Sequence, residues 1–259
     1  MEIDSLNKRF GGVVALDDVT LDFPAGVVTA IIGPNGAGKT TLFNVIAGFL
    51  KPDSGSVALL PDSDTDGSGR RFDIIGLPPN LIALRGVGVL FQDIRIFKRL
   101  SGLENVAVGA KNQPGEKPLN CLFQPARVMA REKEVIEKAR QYLDYVGLAD
   151  KAHLWAEQLS YGQQKLVAIA RLLAGDAKVL LLDEPTSGVD PDMVGKLLAL
   201  IQRLADTDGR AVIIIEHNLN VVKRVGDWVY LMAGGCIEVF GKPEEVLRDS
   251  TLREMFPTL

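Results

Sequence analysis

Gly33-Pro34-Asn35-Gly36-Ala37-Gly38-Lys39-Thr40 places a lysine and a hydroxyl directly behind three glycines, with Thr41 following. The spacing G-x-x-x-x-G-K-[ST] suits the binding of a polyphosphate. The glycines let the backbone turn tightly, so that several N–H groups can converge on phosphate oxygens. A helix that begins there points its positive end at the same place. Lys39 adds a compact positive charge near the β- and γ-phosphates, and the Thr40 hydroxyl can ligate Mg²⁺. The plain alternative is a chance glycine-rich turn: from glycine's average frequency, the bare pattern arises by accident in on the order of one chain in a hundred.

A second candidate lies far downstream. Val179-Leu180-Leu181-Leu182 is an apolar run that ends in two carboxylates, Asp183 and Glu184. In an open α/β sheet the carboxyl ends of the strands are where ligands sit. Asp183 is placed to hold Mg²⁺, directly or through water. Glu184 is placed to orient an attacking water or accept its proton. Side chains alternate along a strand, so the two acids are expected to face opposite ways and do different work. Taken alone, the pair is an ordinary solvated strand end.

Other residues carry weaker signals. Ser160, in Leu159-Ser160-Tyr161-Gly162-Gln163-Gln164, reads as a helix N-cap, with Gly162 at the helix entry. Gln92 and His217 each follow an apolar run and read equally well as polar strand ends. Phe10 precedes Gly11 and Gly12, and on its own reads as a packed sheet residue.

The elements that must position these groups are legible as periodicity. Short apolar runs at Val27–Ile32, Val87–Phe91, Val179–Leu182, Val212–Ile215 and Val229–Met232 predict buried parallel strands. Leu42–Ala47 suits a helix directly after the glycine-rich loop. Leu166, Ile169 and Leu173 fall at helical spacing before the third run, as do Leu197, Leu200, Ile201 and Leu204 after it. Val135, Ile136, Ala139, Leu143 and Val146 mark one face of a charged helix. A helical lobe inserted at about 94–159 is the natural reading. Residues 112–126, with Pro114, Pro118 and Pro125, are expected to interrupt it. Pro61–Arg71 is rich in Asp, Ser and Gly and reads as a surface loop. It lacks the terminal bidentate Glu of a calcium loop.

Bulk properties narrow the function classes. The 259 residues are 47% hydrophobic and 24% charged, enough for a substantial core. Twenty-nine basic against 33 acidic residues give a net charge of −4, without the basic excess of a free-standing nucleic-acid binder. Cys121 and Cys236 have no metal-ligand spacing and suggest no disulfide framework. The first residues lack the apolar core of a signal peptide, and no run approaches the roughly 18 apolar residues of a membrane span. Work at a membrane would require docking on other chains.

In order along the chain, Gly33–Thr40, Gln92, Leu159–Gln163, Asp183–Glu184, Ser187–Asp190 and His217 resemble the motifs of the ATP-binding cassette family. The resemblance spans nearly the whole chain. It implies an α/β fold: a P-loop NTPase core with a mostly parallel sheet, an antiparallel β subdomain and an inserted α-helical subdomain. The core and β subdomain would comprise 1–93 and 160–259, the helical subdomain 94–159. It implies an ATPase with ATP and Mg²⁺, in which Gly33, Pro34, Asn35, Gly36, Ala37, Gly38, Lys39, Thr40 and Thr41 hold the nucleotide. Phe10 would stack on adenine. Thr40, Gln92 and Asp183 would hold the metal, and Glu184, His217, Gln92 and Lys39 would be catalytic. Ser160, Tyr161, Gly162 and Gln163 would close over the nucleotide of a partner subunit, with Tyr161 standing where the family usually has glycine. Ser187, Gly188 and Asp190 would cross between subunits.

The implied partners are a second cassette, identical or paralogous, two membrane permease subunits and, indirectly, a substrate-binding protein, at the cytoplasmic face of the membrane. No nucleic acid is implied. Phe10-Gly11-Gly12, Phe91–Phe97, Glu104-Asn105-Val106, Ile215–Asn218, the proline-containing segment after Val108 and Gly241–Val246 are most similar to ATPases of branched-chain and hydrophobic amino-acid uptake. Urea and amide importers share much of this pattern. Lipopolysaccharide-type exporters share the core motifs, and non-transport cassettes are a further alternative. The Asp-rich segment resembles an insertion.

Overall fold

Each of the five apolar runs forms a strand. The structure, a computed structural model, describes residues 1–60, 71–116 and 118–255. The strands are β1 (Glu2–Phe10), β2 (Val13–Asp22), β3 (Val28–Ile32), β4 (Ser54–Leu59), β5 (Phe72–Asp73), β6 (Val87–Leu90), β7 (Val179–Asp183), β8 (Ala211–Ile215), β9 (Trp228–Ala233) and β10 (Cys236–Gly241). The helices are α1 (Lys39–Ile46), α2 (Pro79–Leu84), α3 (Gly102–Ala107), α4 (Pro118–Phe123), α5 (Pro125–Tyr145), α6 (Tyr161–Ala174), α7 (Pro191–Asp206), α8 (Leu219–Val225), α9 (Pro243–Val246) and α10 (Ser250–Met255).

The central sheet runs β10-β9-β3-β8-β7-β6, and all its pairs are parallel except the β10 edge. Continuous apolar runs are what such a sheet needs, because both of its faces are covered. Successive residues of one strand enter different cores. Ala30, Leu180, Leu182, Val212, Ile214 and Leu231 join α6, α7 and α8 on one face. Ile31, Leu181, Ile213, Ile215 and Met232 join α1 and the antiparallel strands on the other. Burying one such aliphatic side chain contributes about 1.5–3 kcal/mol, and β3 and β8 are buried throughout.

The second sheet, β2-β1-β4-β5, is antiparallel. Its buried Leu6, Leu16, Val19 and Leu21 pack on the α1 side of the central sheet. The Ala15 carbonyl lies against Gly38, and Asp17 N–H donates to Gly235 O at 3.0 Å.

Between β6 and β7 the chain leaves the sheet for α3 to α6. Here one expectation changes. The prolines of 112–126 open helical turns: Pro114 starts a 3-10 turn, Pro118 starts α4 and Pro125 starts α5. Proline's missing N–H costs nothing at a first helical position, where that donor has no partner. The amphipathic helix therefore begins ten residues before Val135. Val135, Ala139 and Leu143 form its buried stripe. Segment 61–70, most of the predicted surface loop, lies outside the described residues.

Candidate active site at the carboxyl edge of the parallel sheet

Register brings the two strongest motifs together. Ile31 of β3 pairs with Ile215 of β8, and Ile215 pairs with Asp183 of β7. The glycine-rich loop leaves β3 just after Ile32, so it emerges at the same edge and level as Asp183 and Glu184. His217 follows Glu216, whose N–H donates to Ile31 O at 3.4 Å. Gln92 follows β6, whose Leu90 pairs with Leu182. Four strands thus deliver four chemical groups to one edge.

The loop depends on its glycines. Gly36 and Gly38 take φ of +80° and +104°. A Cβ on Gly38 would lie 2.3 Å from Ala15 O and 2.8 Å from Met232 Cε, whereas one on Gly36 meets nothing within 4 Å. Gly38 is the N-cap of α1 and offers no side-chain cap, leaving the first N–H groups of that helix for a ligand. Lys39 is buried, and its ammonium donates to Gly33 O and Pro34 O at 2.8 Å each. Burial lowers its pKa, while Glu184 and then Asp183 pull it back up, so the ammonium senses both acids. Asn35 and Thr40 are exposed, and Thr41 is half-buried. Phe10, at the end of β1, is half-exposed and not packed in the sheet. It pairs with Val13, two residues before Ala15 reaches Gly38.

Glu184 is the hub of the acidic end. Its Oε1 lies 2.9 Å from His217 Nε2, and its Oε2 accepts from Gln92 Nε2 at 2.8 Å. Strict strand alternation does not set its direction. The ladder ends at Asp183, and Glu184 takes a left-handed φ of +44°. The turn, not the strand pleat, directs Glu184. Asp183 is half-buried, and burial followed by the Glu184 charge holds its pKa above the usual carboxylate range. That surplus of negative charge favours a cation beside it.

The start of α6 reaches the same place. Ser160 caps the helix in a reciprocal box with Gln163 and remains exposed. Gly162 is buried under Met193 and Val189 of the next helix and its entry loop. Tyr161 donates its hydroxyl to Gln92 O at 2.9 Å, and its ring covers Gly188. Ser187 and Gly188 are exposed, and Asp190 caps α7 through the Met193 N–H at 3.1 Å.

Sequence reasoning passed over Lys165 and Glu216. Lys165 is fully buried, and its ammonium donates to Glu184 O, Pro185 O and Ser187 O at 2.8 Å each. Burial pulls its pKa down to about 8, against the charges of Glu216, Glu184 and Asp183. Glu216 is buried and accepts from Thr186 Oγ1 at 2.7 Å and Thr186 N–H at 3.2 Å. A lysine interrupting the apolar face of α6 was the available signal.

Elsewhere, a groove of about 1240 Å³ opens between α2, β6 and the inserted helices. Phe49, Leu84 and Phe91 line it together with Lys111, Arg131 and Arg171. Arg171 also donates to Arg95 O at 2.6 Å. No helix among the described residues is long and apolar enough to cross a membrane.

Known proteins place this edge in context. The ABC transporter family pattern matches residues 16–187. The high-affinity branched-chain amino acid transport ATP-binding protein BraF of Pseudomonas aeruginosa is 35% identical over 95% of this chain and 92% of its own length. The probable branched-chain amino acid transport ATP-binding protein LivG of Methanocaldococcus jannaschii is 36% identical over 96% and 92%. Among solved structures, the ADP conformation of the ATP-binding cassette MJ1267 superposes with a TM-score of 0.81 at 35% identity, over the full length of both chains. The dimeric post-hydrolysis state of the cassette MJ0796 bound to ADP and Pi gives 0.71 at 26% identity, over 93% and 98%. A glycine-rich loop facing a paired acidic strand end, on a fold shared throughout with these proteins, makes this chain an ATP-binding cassette of the ABC transporter family.

Proposed function

We propose that this ATPase is the energy-supplying subunit of a branched-chain amino acid importer. The catalytic part is supported by the β3-β8-β7 register, in which the strand that leads into the glycine-rich loop and the strand that ends in Asp183 both pair with β8 and finish at one sheet edge. The cargo rests on the relatives, which are named for branched-chain amino acid transport along almost their entire length.

In this reading the N–H groups of Gly36 to Thr41 cradle the phosphates of ATP, and Lys39 exchanges its two loop carbonyls for phosphate oxygens. Phe10 stacks on the adenine. Glu184 orients the attacking water and takes its proton, while Gln92 and His217 fix the carboxylate from either side. His217 is then within reach of the γ-phosphate. The donors at the edge fit Mg²⁺, which favours oxygen ligands and takes few from protein. The Thr40 hydroxyl, the Gln92 amide oxygen and the Asp183 carboxylate would hold it. When bound, Mg²⁺ neutralises charge on the phosphates.

Ser160, at the exposed start of α6, completes the second cassette's site in a head-to-tail dimer. Gly188 lies against the Tyr161 ring beside it, and Ser187, Gly188 and Asp190 would cross between the two chains. Loss of the γ-phosphate removes the charge-assisted contacts that bridge the two chains and reopens them. The groove edged by Phe49, Phe91 and Arg171 is where the permeases dock, at the cytoplasmic face, with Gln92–Phe97 relaying movement from the site. Co-expression with its permeases and binding protein, followed by reconstitution in liposomes, tests the reading. ATP hydrolysis should rise when leucine-loaded binding protein is added. A system stimulated by an amide or urea but not by leucine, isoleucine or valine would overturn the cargo.

A further inference from the structure

A left-handed φ on a residue with a long side chain is uncommon and persists only where the surroundings enforce it. Glu184 has such a φ, at +44°. Its N–H is held by Ile215 O at 2.9 Å, and its carbonyl accepts from the Ser187 N–H at 3.1 Å and from the hidden ammonium of Lys165 at 2.8 Å. All three N–H donors of that ammonium are spent on carbonyls of a single turn, those of Glu184, Pro185 and Ser187. Glu216 grips the same turn from its other polarity, through the N–H and hydroxyl of Thr186. The intervening turn is therefore fixed at four consecutive residues, by a buried cation and a buried anion. Neither group belongs to the catalytic set described above.

We propose that Lys165 is a positioning residue for ATP hydrolysis. It acts through the main chain of Glu184 and aims that carboxylate between Gln92 and His217. The proposal rests on Glu184 being the water-activating group. Its geometry has a second consequence. Lys165 lies one helical turn after Tyr161, and its ammonium is 5.3 Å from that ring's centroid. The stretch of α6 that begins at Ser160 is thereby tied to Glu184. Ser160 serves the partner's nucleotide and Glu184 the chain's own, so one short helical segment joins the two sites of a dimer.

The test is a donor series at position 165, Lys165→Met, Lys165→Gln and Lys165→Arg, in the full chain. Steady-state ATPase, affinity for a fluorescent ATP analogue and thermal melting are measured for each. Lys165→Met should lower kcat about tenfold to a hundredfold, the scale for a misplaced catalytic group, and leave nucleotide affinity within about threefold of wild type. Lys165→Arg should recover more activity than Lys165→Gln, following the number of donors. In a Glu184→Gln background, Lys165→Met should cause no further loss of the residual rate. If Lys165→Met does not fold, the ordering of Arg above Gln decides the matter. Equal kcat across the series, or parallel loss of kcat and nucleotide affinity, would overturn the proposal. Full activity of Glu184→Gln alone would instead overturn the catalytic reading on which it rests.

Discussion

Gly36→Ala and Gly38→Ala change the phosphate loop by one methyl group each, yet the structure assigns them different costs. Both positions have left-handed φ, and forcing an alanine there costs about 1–2 kcal/mol. At Gly36 that is the whole cost, since the methyl meets nothing within 4 Å. At Gly38 the methyl also falls 2.3 Å from the backbone oxygen of Ala15, which a neighbouring strand holds in place. Overpacking of this kind adds about 1–3 kcal/mol. The expected totals are about 1–2 kcal/mol for Gly36→Ala and about 2–5 kcal/mol for Gly38→Ala. The strain appears as lost stability if the loop keeps its shape. It appears as lost affinity if the loop relaxes and must be reformed around ATP. If expressed fully in binding, it weakens affinity by roughly 5- to 30-fold for Gly36→Ala and roughly 30-fold to a few thousandfold for Gly38→Ala. The assay is titration with a fluorescent ATP analogue alongside melting curves without nucleotide, where each kcal/mol lowers Tm by about 2–4 °C in a chain of this size. The loss summed over both readouts must be larger for Gly38→Ala. If the two variants are indistinguishable, or Gly38→Ala matches wild type in both assays, the steric argument is wrong.

Other expectations follow from the same edge. The native state holds the Asp183 proton more tightly than the unfolded chain does, because of burial and then Glu184. The stability this contributes is present in acid and is lost as pH rises through the folded pKa. Asp183→Asn should therefore raise the Tm of the nucleotide-free protein at neutral pH while abolishing Mg²⁺-dependent hydrolysis. Its Tm advantage should narrow as pH falls, and a lower Tm at neutral pH would contradict this. Phe10→Ala should weaken ATP binding by the roughly 1–3 kcal/mol of a base–aromatic stack. Because Phe10 is half-exposed, melting without nucleotide should stay within about 2 °C of wild type. Unchanged affinity in an isothermal titration would remove the ring from the site.

The central sheet was legible because its strands are buried on both faces. Runs such as Val179–Leu182 must be apolar throughout, and that pattern needs no knowledge of neighbours. The antiparallel sheet was expected only from the family resemblance. Ser5 and Asp18 have positive φ, and the β1-β2 register shifts beside both, so apolar residues in β1 do not alternate cleanly. Prolines 114, 118 and 125 read as breaks because proline ends helices more visibly in sequence than it begins them. At the site, Lys39, Asp183 and Glu184 could be found by type and spacing, and their convergence is a matter of strand order. Lys165 shows in the sequence only as a lysine on the apolar face of α6, and its partners, which are backbone carbonyls, leave no trace in side-chain identity.

The claim on which the rest depends is that Glu184 activates water at a nucleotide shared between two cassettes. Glu184→Gln keeps the shape of the side chain that Gln92 and His217 grip and removes its basicity. Light scattering on a size-exclusion column, with MgATP in the buffer, measures the outcome directly. The variant should elute as a dimer holding two ATP molecules and hydrolyse them at least about a hundredfold more slowly than wild type. A Glu184→Gln protein that stays monomeric in MgATP while hydrolysing at the wild-type rate would contradict the account.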